Sequence, residues 1–305
     1  MRSLIIPQST DRRLELRPML PEHRAHSEAM AQNANAMVDG IVWQTIALSL
    51  GCATIIVTTM VLGALNAIPL WVVSLIIYVS VYLSYTALHE AVHQNITGAR
   101  KDLAWINKAI GTLSSFFLAH SYEMHKTIHL THHRNTNDPE HDPDHWVKGS
   151  NFLMTALRSM TIFNGYFLYC QRHWDNPQMR SAYWIGLRDT GLTFAAVLLI
   201  AIFVDWQLAV FGYLIPATLA AMTLGLLFDY AVHVPYVARA RFENTRVFVF
   251  PRWLDTIVTW AYVQQNYHGV HHAFPRIPFT KYRQFFRKSE EDIVEAGLPV
   301  VRPLG

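Results

Sequence analysis

The chain has 305 residues, 51% of them hydrophobic and only 15% charged, with a mean hydropathy of +0.15. A soluble domain averages about 25% charged residues, so this deficit points toward a membrane. A net charge of +3 without a compact basic run argues against nucleic-acid binding, and Cys52 and Cys170, lacking CxxC spacing, read as unpaired buried thiols.

Residues 1–40 are charged and contain proline, which excludes a secretory signal peptide. They read as a cytoplasmic arm that includes a polar helix, PEHRAHSEAMAQNANAM. Two pairs of apolar runs follow. Residues 41–67 carry no charge, and residues 68–88 run directly to His89, with NAIP (66–69) between them. Residues 191–204 and 208–228 form the second pair around DWQ (205–207), the former needing 187–190 and 205–207 as interfacial ends. A hydrocarbon core takes about 20 apolar residues as helix. Transmembrane helices are therefore expected at about 41–67, 68–93, 187–206 and 208–233.

No Lys or Arg lies between Ile41 and His93 or between Asp189 and Pro235. Such placement disfavours two buried hairpins of a soluble protein and puts all basic segments on one side, the cytoplasm by the positive-inside rule. The fold expected is an all-α integral membrane protein: four transmembrane helices in two hairpins, with a cytoplasmic helical cap. Its catalytic unit spans 41–285, followed by a tail at 286–305. Between the hairpins, LAWINKAIGTLSSFFLAH and NFLMTALRSMTIFNGYFLY are amphipathic and expected to lie in the interface plane.

The stretch HKTIHLTHHRNTNDPEHDPDHW (125–146) gathers six of the sixteen histidines. Imidazole is the commonest metal ligand near neutral pH, and helical spacing sorts the histidines into boxes. HEAVH sets His89 and His93 one turn apart; HLTHH sets His129, His132 and His133 at i, i+3 and i+4; HGVHH repeats this with His268, His271 and His272. DYAVH places Asp229 four residues before His233. These offsets share a helix face, and all four boxes fall on the same side of the expected membrane. His23, His26, His141, His145 and His173 lack the spacing and read as surface residues, while His120 and His125 are intermediate.

HEAVH also matches HExxH, the signature of a zinc hydrolase with Glu90 as base. One zinc would leave the histidines of HLTHH and HGVHH without a role. Eight or nine imidazoles suit two ions, and nitrogen ligands with open positions favour iron, with zinc and manganese also open. A non-enzymatic metal relay would spread its ligands along the membrane depth instead of gathering them at one face.

In this order, interleaved with two hairpins, the boxes resemble the membrane fatty acid desaturase superfamily, which includes acyl desaturases, lipid hydroxylases and carotenoid ketolases and hydroxylases. The resemblance runs from about residue 40 to 285, and NDPEHDPD and NYHGVHHAFPRIPFTKY look like bacterial acyl-desaturase members. It implies two iron ions that activate O2, held by His89, His93, His129, His132, His133, His233, His268, His271 and His272. Asp229 matches a position where some members carry an amide that reaches metal through water, so it is expected to bind directly or through water. His125 and Asn266 are expected just outside the ligands. The implied reaction is oxidation of a lipid or acyl chain from the bilayer by a desaturase or hydroxylase. A carotenoid-ring ketolase or hydroxylase, or a decarboxylating relative, is the alternative. Such a site would sit at the cytoplasmic face of a bacterial inner membrane.

No GxGxxG, CxxC or HPGG segment is present, so electrons must come from an external donor: a ferredoxin, rubredoxin or cytochrome b5 type with its reductase. The basic segment holding Arg239, Arg241, Arg246, Arg252, Arg276, Lys281, Arg283, Arg287 and Lys288 suits either such a carrier or anionic headgroups.

Overall fold

The computed structural model describes residues 30–38 and 40–303; His23, His26 and most of the expected arm lie outside the described residues. Helices α1 (Trp43–Ala64) and α2 (Leu70–Val92) pack on each other. Asn66 turns the chain between them at φ 52°, a left-handed conformation that Asn tolerates better than most residues.

Helix α3 (Ala104–Phe117) is amphipathic, as its sequence suggests. It packs on α1 and α2, and Ser114 Oγ meets Ser49 Oγ of α1 at 2.8 Å. Gly111 makes the approach possible: a Cβ there would stand 2.3 Å from the Tyr122 ring and 3.0 Å from Ala91 Cβ. Small residues let helix backbones come this close in membrane bundles.

Next come α4 (Tyr122–Asn135), α5 (Phe152–Met160) and α6 (Ile162–Arg172). Ser121 accepts from Met124 N to cap α4, and Asn151 accepts from Met154 N to cap α5. Helix α7 (Pro177–Phe203) starts ahead of residue 187, where the apolar run alone suggested it. Its early turns are polar in sequence, but Met179 and Ala182 are buried in a core with Met124 of α4 and Tyr166 of α6. Asn176 caps it, with Pro177 in the first turn.

Helix α8 (Leu208–His233) is irregular: Leu208–Leu214 and Gly225–Tyr230 are π-helical around a regular Ile215–Leu224. Pro216 has no N–H to give the preceding turn, which accounts for the first wide turn. The α3 end reaches both α7 and α8, because Thr193 Oγ1 donates to Phe116 O (3.3 Å) and Tyr213 OH donates to Phe117 O (3.0 Å).

Strand β1 (Val247–Phe248), helices α9 (Arg252–Ala261), α10 (His268–Ala273), α11 (Tyr282–Lys288) and α12 (Glu290–Glu295), and strand β2 (Val300–Val301) complete the described chain. The strands pair in parallel, Val247 with Val300. The segment beyond 286, read from sequence as a tail, is packed on the core through Ile293 and Leu298. Helices α1, α2, α7 and α8 are each long and apolar enough to cross a membrane. Large apolar side chains such as Leu50, Ile55, Leu198 and Ile202 face outward on them, as lipid contact requires.

Candidate metal centre

Three helix ends and one whole helix deliver the imidazoles. His89 and His93 come from the end of α2, His129, His132 and His133 from α4, His233 from the end of α8, and His268, His271 and His272 from α10. They form two sets. Ligand atoms of His89, His93, His129, His133 and His271 all lie within 4.8 Å of one another, as do those of His132, His233 and His272.

Within the first set, the Nε2 of His129 is 3.0 Å from His93 Nε2 and 3.1 Å from His133 Nε2, and His133 Nε2 is 2.9 Å from His271 Nε2. In the second, His132 Nε2 and His272 Nε2 are 3.3 Å apart. Nitrogens about 2.0–2.1 Å from one ion, at right-angled to tetrahedral spacing, stand about 2.8–3.4 Å apart. These four pairs fit that requirement. Both ring nitrogens of His89 and the Nε2 of His233 are buried without any protein partner, which a folded protein rarely tolerates unless something else supplies it.

The electrostatics agree. Burial first, and neighbouring charged groups second, hold His93 and His268 down at about 3 and His129, His133, His271 and His272 well below the usual imidazole range. Neutral rings keep the lone pairs that a metal needs. His132 differs: burial opposes its charge, but Asp142 and Asp144 outweigh it and raise the ring to about 9. Asp142 Oδ1 accepts from His132 Nδ1 at 2.8 Å and Asp144 Oδ2 lies 3.4 Å away. This is the arrangement by which carboxylates orient ligating histidines. Burial also raises the Asp144 carboxyl.

His268 borders the second set, with its ring centroid 4.6 Å from that of His272 and its Nδ1 2.9 Å from Gln265 Oε1. Asp229 is buried but joins neither set; its electrostatic neighbours are Asp144, His132 and Asp142. Asp229 lies in the π-helical Gly225–Tyr230 and His233 in the α-helical turn that follows. His125 stacks on His129 at 5.5 Å, with neither nitrogen partnered. Asn266 Nδ2 donates to Phe248 O and Thr259 Oγ1, not to an imidazole.

Of the histidines read as surface residues, His141 is exposed and His173 half-buried. His145 is also half-buried, but its Nε2 is fully enclosed and unpartnered. His120 is buried and stacks on Phe163 at 4.2 Å.

Glu90, which the HExxH spacing marks as a candidate hydrolytic base, is buried among hydrogen-bond donors. Its carboxylate accepts from Phe279 N (3.1 Å), Asn95 Nδ2 (3.3 Å) and Tyr282 OH (3.5 Å). Sequence spacing missed Asp142, Asp144, Tyr282 and Asn137, whose Oδ1 lies 3.3 Å from His233 Nδ1. The acidic loop NDPEHDPD was the available signal for the first two.

The family model described as Fatty acid desaturase matches residues 65–303. No curated protein matches the chain.

Proposed function

This chain belongs to the fatty acid desaturase family, and from that premise we propose that it is a membrane-bound, O2-dependent di-iron oxidase acting on unactivated C–H bonds of a lipid, as a fatty-acyl desaturase or hydroxylase. Family and apolar helices together make it an integral membrane oxidoreductase. The observation that carries the finer reading is the pair of imidazole sets, five and three strong and buried but for the half-buried His133.

In this reading His89, His93, His129, His133 and His271 hold one ion. His132, His233 and His272 hold the second, with His268 completing it and Asp229 bridging through water or binding directly. Two iron ions there would supply the O2 activation that side chains alone lack. The chain's own residues do the rest: burial keeps the rings other than His132 neutral, Asp142 fixes the His132 ring, and the enclosed site shields a reactive oxidant from bulk water.

Two transmembrane hairpins would bring all boxes to the cytoplasmic face of a bacterial inner membrane, where a lipid chain enters from the bilayer. The catalytic unit is 41–285, with the segment beyond it packed against that unit. An external carrier protein delivers electrons. Much of the basic segment is occupied within the fold: Arg241 donates to Ala273 O, Arg276 to Gly98 O, and Arg283 and Arg287 pair with Asp255. Arg252 and Lys281 stay exposed for a carrier or for headgroups.

The test is mass spectrometry of lipids after expression in a host of defined lipid content, with a donor system supplied. Products that have lost two hydrogens or gained one oxygen are expected, from protein carrying two iron ions per chain. Unchanged lipids from metal-loaded protein, or full activity with a single zinc, would overturn the reading.

A further inference from the structure

We propose that Tyr282 is a positioning residue that ties His271 to the buried carboxylate of Glu90, giving the five-imidazole set an acid anchor of its own. The proposal rests on the metal-centre reading above and goes beyond it by giving Glu90 and Tyr282 a role. Tyr282 OH lies 2.9 Å from His271 Nδ1 and 3.5 Å from Glu90 Oε1. On the other side of the same ring, His271 Nε2 faces His133 Nε2 within the first set. All three residues are fully buried.

Only one arrangement of protons serves a ligand. If Tyr282 donated to Nδ1, the neutral ring would carry its proton on Nε2 and could not bind an ion there. With the phenol donating to Glu90, its oxygen is free to accept from His271 Nδ1–H. The Nε2 lone pair then points into the set. A carboxylate at the end of the chain therefore selects the tautomer, as carboxylates behind ligating histidines do. Here a phenol stands between acid and ring.

Comparison of the two sets gives a second reason. The first contains five imidazoles and no acid, whereas His132 in the second is backed directly by Asp142 and Asp144. Tyr282 and Glu90 give the first set a backing of the same kind. Glu90 is held in place for it. Asn95, which donates to its Oε1, also donates to Pro275 O and Ile277 O, and Phe279 N donates to Oε2. The anchor is thus clamped to the loop that leads into Tyr282.

Full-length protein in detergent would be loaded with ferrous iron, and the release of each ion to a chelator followed beside the melting temperature of the metal-free form. Tyr282→Phe keeps the ring and its packing, so the metal-free melting temperature should stay near wild type. One of the two ions should leave about 10–100-fold faster, the usual cost of losing such a partner. Glu90→Gln should speed release of that same ion, and the double variant should release it no faster than Tyr282→Phe alone, because the two act in series. A residue that only packs would move none of these rates. Wild-type release from both single variants, or additive effects in the double variant, would overturn the proposal. If Tyr282→Phe does not fold, Glu90→Gln alone decides it in the same way. A wild-type chain that binds no metal would instead overturn the metal-centre reading, and this inference with it.

Discussion

Asp142 is the residue most firmly fixed behind the metal sets. Its Oδ1 accepts from His132 Nδ1 and from Asp144 N (2.9 Å), while its Oδ2 accepts from Asn137 N (2.7 Å). Asp142→Ala should therefore lower metal affinity about 10–100-fold, read as the loss of one of two ions under a chelator. His141→Ala, at an exposed ring beside it, should leave the metal content unchanged. Asp229 stands differently, buried near His132 but outside both sets. A water bridge needs only an oxygen acceptor, so Asp229→Asn should keep both ions and Asp229→Leu should lose one. Full metal content in the Leu variant would reduce Asp229 to a buried bystander. At this scale the histidines that the structure gathers were legible in the sequence, because i, i+3 and i+4 spacing acts within one helix. Their anchors were not: Glu90 and Tyr282 are 192 positions apart, and no local pattern links such partners. Glu90 shows how local pattern misleads, since its HExxH spacing is real while its carboxylate is committed elsewhere.

Helices were legible in proportion to how much of their burial is local. Long apolar runs marked α1, α2 and α8 directly, because lipid imposes its demand on each span separately. The start of α7 was missed because its first turns are stabilised by packing against α4 and α6 rather than by hydropathy. Nor did the amphipathic pattern of α3 reveal its place in the fold, which depends on Gly111 and on serine pairing with α1. The wide turns of α8 are a third such case. The second of them begins at Gly225, where α5 comes so close that an added Cβ would stand 2.7 Å from Ser159 Cβ and 3.0 Å from its Cα. Gly225→Val should push α5 away from α8 and cost about 1–3 kcal/mol, as overpacking typically does. A lowered melting temperature would report it. Gly191→Ala in α7 is the control, since nothing lies within 4 Å of its added Cβ. Equal melting temperatures for the two variants would mean that the α5–α8 contact is looser than described.

Across the whole molecule, the two-hairpin topology we propose sorts several exposed tryptophans into two belts. Trp43 at the start of α1, Trp105 at the start of α3, and Trp253 and Trp260 on α9 belong to the histidine side. Trp71 at the start of α2 and Trp206, between α7 and α8, belong to the opposite side. Tryptophan prefers the two membrane–water interfaces, as the proposed topology requires, and every Lys and Arg of the sequence lies outside the two paired apolar stretches. Positive loops remain in the cytoplasm, and the topology we propose therefore puts the histidine side in that compartment and the Asn66 turn in the other. Both Ser150 and Asn66 are exposed, and the native Cys52 and Cys170 are buried, so introduced thiols should label over a low background. In intact cells a membrane-impermeant maleimide should modify Asn66→Cys at once and Ser150→Cys only after permeabilisation. The reverse pattern would invert the topology and put the metal sets outside the cell, beyond reach of a cytoplasmic electron donor. Labelling of both sites in intact cells would mean that the paired helices do not cross as hairpins.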